Sequence, residues 1–250
     1  MTTASDRNEK PQTRLYLDQS LGLGVAIDLT ADHAHFLGRV LRLQVGATLS
    51  LFNGRDGEWL ATISDLGKRS ASVTLVKQAR PQPSIDPGPT LLIPPIKKAR
   101  ADWLVEKATE LGVAEIQPVL TERTAVRDVN LTRWRKITIE AAEQCERLDL
   151  PRLKPLSPLF ETLQSYADHR LLLAAERADA PTISPETLAD FPKIALLIGP
   201  EGGFAPAELD ALCELPFVHA ISLGQRILRA ETAALAGLTL IQASAGALSR

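Results

Sequence analysis

Two short stretches of this chain combine residue types that can hold and polarise a ligand. The first is Gly199-Pro200-Glu201-Gly202-Gly203, which follows the purely apolar run Ile194-Ala-Leu-Leu-Ile198. Three glycines and a proline allow close backbone approaches that side chains would block, so main-chain N–H and C=O groups can grip a flat molecule. By itself such a loop is either a tight strand-to-helix turn or a ligand site. Glu201 tilts it towards a site, because a carboxylate at the C-terminal end of a strand lies where α/β proteins bind ligands. The second stretch repeats the design, with Ala220-Ile-Ser-Leu223 leading through Gly224-Gln225-Arg226-Ile227-Leu228-Arg229 into the helix-forming run from Ala230. It places Arg226, Arg229 and Glu231 at or near a helix start, either in a solvated loop or at a charged site. Common nucleotide motifs are missing: no G-x-G-x-x-G follows a strand, and Gly67-Lys68 lacks the glycine at position 62 that a P-loop needs.

These loops need a scaffold. Arg80-Pro-Gln-Pro-Ser-Ile-Asp-Pro-Gly-Pro89 carries four prolines and a glycine in ten residues and reads as an extended linker. The expected division is a small β-barrel over residues 1–80, with 1–12 frayed, a linker over 81–89 and an α/β domain over 90–250. In the first part, Thr48 to Phe52, Trp59 to Ile63 and Ala71 to Val76 are short strands separated by turn signals at Asn53-Gly54, Asp56-Gly57 and Gly67. One helix, capped by Thr30, interrupts them, with Phe36, Leu37, Val40 and Leu41 at helical spacing. Beyond the linker the pattern changes to strand, loop, helix, repeated, as in a mostly parallel sheet covered on both faces. Expected strands are Thr90 to Ile93, Glu115 to Leu120, Arg170 to Ala174, Ile194 to Ile198 and Ala220 to Leu223. Expected helices are Ala101 to Leu111, Leu131 to Leu148, Pro206 to Glu214 and Ala230 to Ala245, the first stopped at Gly112.

Composition excludes several classes. With 45% hydrophobic and 23% charged residues, and no apolar run near the roughly 18 residues of a membrane helix, a membrane protein is not expected. The polar start, Met1 to Lys10, has no secretory core, which points to the cytoplasm. Cys145 and Cys213 have no Cys or His at metal-ligand spacing, so neither a zinc site nor any other metal is expected, and both read as buried thiols. The net charge of -2 opposes bulk nucleic-acid binding. Its distribution is slightly uneven, with ten basic against eight acidic residues over 1–80 and 18 against 22 over 81–250.

The blocks "LLIGPEGGFAPAEL" and "ISLGQRILRAETAALAGL" resemble paired signatures of the ribosomal RNA small subunit methyltransferase E family, bacterial enzymes that methylate N3 of a uridine. "HFLGRVLRL", "KKARADWLVEKATELGV", "QPVLTERTAVR", "RWRKITIEAAEQCER" and "LLLAAE" are similar to further blocks of that family, in its order. The resemblance runs from about Arg14 to Gln242. It implies a PUA-like N-terminal RNA-binding barrel, a C-terminal SPOUT α/β domain with a deep trefoil knot, a homodimer, and S-adenosyl-L-methionine as cofactor. It also implies 16S ribosomal RNA, or the small ribosomal subunit, as partner. Without it, the rule against knots predicts an unknotted sheet. One departure is Ala205, where the family usually has a serine or threonine; the lost cap costs about 1 kcal/mol, offset in part by Pro206 at N1 and Glu208 at N3.

By the same resemblance the cofactor touches Leu173 and Ala174, then Ile198, Gly199 and Gly203, then Leu223, Gly224, Ile227 and Leu228. Methylating N3 requires loss of its proton, so Arg226 and Arg229 are candidates for stabilising the uracil anion, and Glu201 and Glu231 for orienting an arginine or accepting the proton. Arg123, Arg127, Arg133, Arg135 and Lys136, opposed only by Asp128, form a candidate RNA patch, with Arg14, Arg39, Arg42 and Arg55 as candidates in the barrel; a solvated helix face is the plain alternative. His33 and His35 read as cap or core residues. Competing functions are a knotted methyltransferase of transfer RNA ribose 2'-hydroxyls and a non-catalytic RNA-binding protein.

Overall fold

The computed structural model describes residues 10–83, 88–174, 180–188 and 193–245. The expected frayed tail up to residue 9, positions 84–87 of the expected linker, Glu176 of the "LLLAAE" block and positions 246–250 lie outside them. The chain forms two compact units, Met1–Asp86 with Ala142–Asp149, and Pro87–Ala141 with Leu150–Arg250. The excursion of Ala142–Asp149 back to the first unit is not part of a single cut at the prolines.

The first unit holds a five-stranded sheet of β1 (Arg14–Tyr16), β2 (Ala26–Leu29), β3 (Thr48–Phe52), β4 (Glu58–Leu66) and β5 (Ala71–Arg80), in the order β1-β3-β4-β5-β2. β1 runs parallel to β3 and the other pairings are antiparallel. The turn between β3 and β4 is built by Asn53, whose Oδ1 accepts the N–H groups of Arg55 and Asp56 at 3.0 and 2.8 Å, an Asx turn. Helix α1 (Ala31–His35) starts where expected, with Thr30 Oγ1 accepting the His33 N–H at 3.3 Å. It does not continue as a regular helix: Phe36–Val40 widens into a π turn, and the Leu41 N–H reaches the Phe36 carbonyl. His33 is half-buried at this cap, whereas His35 is exposed and stands at the start of the π turn without a side-chain capping bond.

A buried ion cluster ties this unit together. Glu58, 5% exposed, accepts Arg14 Nε at 2.7 Å and Arg80 Nε at 2.5 Å. The remaining Arg14 N–H groups reach the carbonyls of Ala142, Glu143 and Arg147 at 2.9 to 3.2 Å, and its guanidinium stacks 4.5 Å from the Phe52 ring centre. Arg14, expected to face RNA, is therefore spent on holding Ala142–Asp149, because a guanidinium this buried must satisfy its donors internally.

The second unit is built on parallel strands in the order β12-β10-β11-β6-β7-β8, with β9 beside β7. The strands are β6 (Thr90–Ile93), β7 (Glu115–Leu120), β8 (Arg152–Leu153), β9 (Ser157–Pro158), β10 (Arg170–Ala174), β11 (Ile194–Ile198) and β12 (Val218–Ile221). Alternate residues enter separate cores: Leu91, Leu196 and Ile198 on one face, Leu92, Ala195 and Leu197 on the other. That double burial explains the unbroken apolar runs.

Between the strands lie α2 (Lys98–Glu110), α3 (Leu131–Gln144), α4 (Leu159–Leu163), α5 (Pro185–Leu188), α6 (Pro206–Cys213) and α7 (Ala230–Ser244). Helix α2 ends just before Gly112 and buries Leu104 and Ala108. Several expected bounds shift: α2 starts at Lys98 rather than Ala101, β4 extends to Leu66 rather than Ile63, and β5 runs on to Arg80 rather than Val76. Helix α3 stops at Gln144 rather than Leu148, and Glu146 beyond it takes a positive φ of 60°. β12 runs over Val218–Ile221 rather than Ala220 to Leu223: those four residues pair with Leu171 to Ala174, and the Ser222 N–H turns instead to the Pro181 carbonyl at 2.9 Å. Both cysteines are exposed rather than buried, Cys145 in the turn after α3 and Cys213 on the solvent side of α6.

Two stability predictions follow from these contacts. Burial raises the Glu58 carboxyl pKa, but the hydrogen bonds and charges of Arg14 and Arg80 outweigh it and hold the group below its ordinary value of 4.5. Since the folded pKa is depressed, its contribution is present above pH 4.5 and is lost as pH falls through the folded value. Glu58→Gln should lower stability at neutral pH and flatten the acid limb of a denaturation series. Separately, Ala205 stands at the N-cap of α6 with no side-chain hydrogen bond, and Glu208 Oε1 accepts the Glu122 N–H at 3.0 Å rather than capping the helix. Ala205→Ser should therefore stabilise by about 1 kcal/mol in chemical denaturation.

Candidate active site

The C-terminal ends of β10, β11 and β12 open into a cavity of about 980 Å³. Ala174 and Ile198, the last residues of β10 and β11, are register partners, and Ala174 also pairs with Ile221, the last residue of β12. The loop after β11 turns tightly, with the Gly203 N–H on the Pro200 carbonyl at 2.8 Å. Gly199 is required by packing, since a Cβ there would lie 2.9 Å from the Phe204 ring. Gly224 is required by conformation, its φ of 106° being one that L side chains rarely adopt.

Of the cofactor candidates, Ala174, Ile198, Gly199, Gly203, Leu223, Gly224, Ile227 and Leu228 all line this cavity. Leu173 does not: it is fully buried in the core on the opposite face, as alternation along β10 requires. Ile227 is 62% exposed, an apolar side chain left for a ligand to cover. The lining is thus backbone and aliphatic carbon along the strand ends, with charge added by a few side chains.

Glu201, Arg226 and Arg229 also line the cavity. Both arginines are exposed, and among the described residues neither forms an ion pair. Glu231, 7% exposed in the first turn of α7, and Glu201 are instead joined by a residue that the sequence did not single out. Arg100, in the first turn of α2, places Nη1 3.1 Å from Glu201 Oε1 and Nε 3.5 Å from Glu231 Oε1. Arg123, assigned to the RNA patch, is also a cavity residue, and its Nη1 donates to the Gly202 carbonyl at 3.2 Å. A sequence signal for both existed. In a parallel sheet every strand delivers its following segment to the same end, and Arg100 follows β6 as Arg123 follows β7.

Two of the other RNA candidates hold carboxylates. Arg133 grips the Asp102 carboxylate, with contacts of 2.7 to 2.9 Å, and Arg55 pairs with Asp18 at 3.2 Å. Arg39, Arg42, Arg127, Arg135 and Lys136 are exposed.

A second cavity, of about 540 Å³, lies at the opposite, N-terminal ends of β6, β7 and β11. Several of its charges are already paired. Glu115 takes Arg152 at 3.1 Å, Lys154 at 3.6 Å and the Tyr166 hydroxyl at 2.6 Å, and Lys193 pairs with Asp168 just outside the lining. Burial, and then the bond to Glu115, push the Tyr166 phenol well above its usual range. The glycine-rich loop after β11 and the arginine-bearing loop after β12 both open on the first cavity, which makes it the candidate site. Among the described residues no group of three or more His, Cys, Asp or Glu is placed to hold a metal, and no helix is long and apolar enough to cross a membrane.

Comparison with known proteins bears on this geometry. Residues 86–242 match the family model described as RNA methyltransferase domain, and residues 29–76 match RNA methyltransferase PUA domain. The chain is 36% identical over 233 residues to the ribosomal RNA small subunit methyltransferase E of Rickettsia conorii, covering 92% of this chain and 94% of that one. The crystal structure of the Neisseria gonorrhoeae protein of that name, bound to S-adenosyl methionine, superposes with a TM-score of 0.81 at 32% identity, covering 92% and 97% of the two chains. A Legionella pneumophila protein in complex with the same cofactor gives 0.78 at 31% identity, with the same coverage. Agreement across both units, in sequence and in fold, shows that this chain belongs to the ribosomal RNA small subunit methyltransferase E family.

Proposed function

We propose that the chain methylates N3 of a specific uridine in 16S ribosomal RNA of the small subunit, with S-adenosyl-L-methionine as donor. The observation that carries this reading is one cavity that combines glycine and aliphatic strand ends with two arginines that no described carboxylate neutralises. Its volume falls within the roughly 300–1,000 Å³ usual for small-molecule sites. Ala174, Ile198, Gly199, Gly203, Leu223, Gly224, Ile227 and Leu228 suit the flat face of a purine and the polar groups attached to it, held by aliphatic carbon and by main-chain groups. When bound, the cofactor supplies an electrophilic methyl on a sulfonium.

The chain's own residues deal with the base. Uracil N3 is a poor nucleophile while it carries its proton, so the site must favour the anion. Arg226 and Arg229 do this electrostatically, the N3 proton leaves to solvent water at the open side of the cavity where both arginines are exposed, and a fixed orientation lowers the barrier further. The ion pairs to Arg100 favour the orienting role for Glu201 and Glu231 over proton acceptance. RNA is gripped outside the cavity by Arg39 and Arg42 in the first unit and by Arg127, Arg135 and Lys136 in the second, assisted by Arg55 and Arg133 where their acidic partners yield. Family membership supports the remaining features of this reading: a first unit closed into a PUA-like barrel, a deep trefoil knot in the SPOUT domain over 90–250, a homodimer, and action in the cytoplasm.

Three measurements test the reading. S-adenosylhomocysteine at a hundred times its dissociation constant should stabilise the protein by about 2.7 kcal/mol, and the absence of any shift at saturation would favour a non-catalytic RNA-binding protein. Arg229→Ala should abolish turnover while leaving that shift nearly intact, whereas near-normal turnover removes Arg229 from the mechanism. Methyl transfer to small subunits from a strain lacking the gene should yield 3-methyluridine by nucleoside mass spectrometry. A 2'-O-methylated product would support the ribose-methylating alternative instead.

A further inference from the structure

The cavity contains an uneven division of charge. Glu201 and Glu231 both reach the same guanidinium, that of Arg100, while Arg226 and Arg229 have no ion pair among the described residues. Glu201, Arg226 and Arg229 nevertheless line one cavity, and Glu231 lies only two residues beyond Arg229. An uncommitted carboxylate in a partly enclosed space pairs with whichever cation it can reach. An arginine so paired loses much of its power to stabilise a second anion.

We propose that Arg100 is a positioning residue for the reaction: it holds Glu201 and Glu231 away from Arg226 and Arg229, so that those two arginines stay available to an anionic base. The inference rests on the methyltransferase reading and adds to it a division of labour among the cavity's arginines. Arg100 is suited to the task by place and by shape. It sits on α2, outside both ligand loops, so it can pull on the glycine loop through Glu201 and on the start of α7 through Glu231. Its planar fork presents separate donors, Nη1 and Nε, to the two carboxylates, which a single ammonium cannot do equally well. The Glu231 Oε2 atom is buried and has no hydrogen-bond partner, which leaves Arg100 as the cation facing that carboxylate among the described residues.

The test separates charge allocation from mere tethering. Arg100→Ala should lower kcat for methyl transfer by roughly tenfold or more, with the dissociation constant for S-adenosylhomocysteine held within about threefold. Arg100→Lys should fall between that variant and the wild type. The decisive variant is Arg100→Ala combined with Glu201→Gln and Glu231→Gln, which removes the tether altogether but also removes both carboxylates that Arg100→Ala sets free. If Arg100 works by occupying the carboxylates, the triple variant turns over faster than Arg100→Ala and regains part of the lost kcat. If Arg100 only ties the loop and α7 to α2, the triple variant is no better than Arg100→Ala, and the proposal is overturned. Unimpaired turnover of Arg100→Ala beside an active wild type overturns it as well, without touching the methyltransferase reading. Absence of turnover in the wild-type protein on small subunits overturns that reading and this proposal together. Retained binding of S-adenosylhomocysteine by calorimetry certifies that each variant is folded, and a variant that loses binding together with kcat counts against a positioning role confined to the base.

Discussion

A parallel strand cannot return to its neighbour through a hairpin, so each must be followed by a crossover that brings the chain back to the starting end. All loops that follow the strands therefore gather at one edge of the sheet. In this protein the register of β10 with β11 and β12 sets Ala174 beside both Ile198 and Ile221, so three chain segments leave the sheet side by side. The glycine loop, the arginine loop and the start of α7 meet there because of that pairing. A slip of one residue in β11 would exchange Leu196 and Ile198 for Ala195 and Leu197 between the two cores, and both faces are packed. Core packing thus holds the register, and the register places the cavity.

Electrostatics on the same scaffold is local. A chain with a net charge of -2 still brings four guanidinium groups, those of Arg100, Arg123, Arg226 and Arg229, to one cavity. Two of them have tasks within the protein, Arg100 on two carboxylates and Arg123 on the carbonyl of Gly202. In the first unit the three-way contact of Arg14, Glu58 and Arg80 spends two arginines on structure. Counting basic residues therefore overestimates the positive surface left for RNA, and only side chains without acidic partners add to it.

These differences mark what residue order can reveal. The strands at Thr90, Arg170 and Ile194 are legible because a sheet covered on both faces demands near-continuous apolar runs, and such runs are short and bounded by loops. The loops after β11 and β12 stand out in the sequence because glycine, glutamate and arginine cluster there, and the parallel register brings both to one cavity. The strands β1 and β2, of three and four residues, carry too little pattern to stand out. Arg14 differs from its expected role because an arginine facing RNA and one facing Glu58, 44 residues away, look alike in sequence. Arg100 carries no local signal for the same reason: its partners lie 101 and 131 residues further on, and the parallel topology brings them within reach.

The division between a backbone-lined cofactor wall and arginines for the base follows from the charges of the proposed reactants. A sulfonium donor is itself cationic, and a wall of guanidinium groups would oppose its binding. Main-chain dipoles and aliphatic carbon bring no net charge, so glycine and leucine positions can hold a cation that arginine would repel. The anion arises only on the base, and positive charge is useful only where the base sits. Placing the arginines in the stretch from Gly224 to Arg229, with its glycine and aliphatics interleaved among them, lets one short segment serve both reactants. That economy has a consequence for the carboxylates: any acid near this segment is attracted to its arginines as strongly as the substrate anion is. A site of this kind needs a further cation that takes no part in binding the base, and Arg100, carried on α2 beyond both loops, occupies that position.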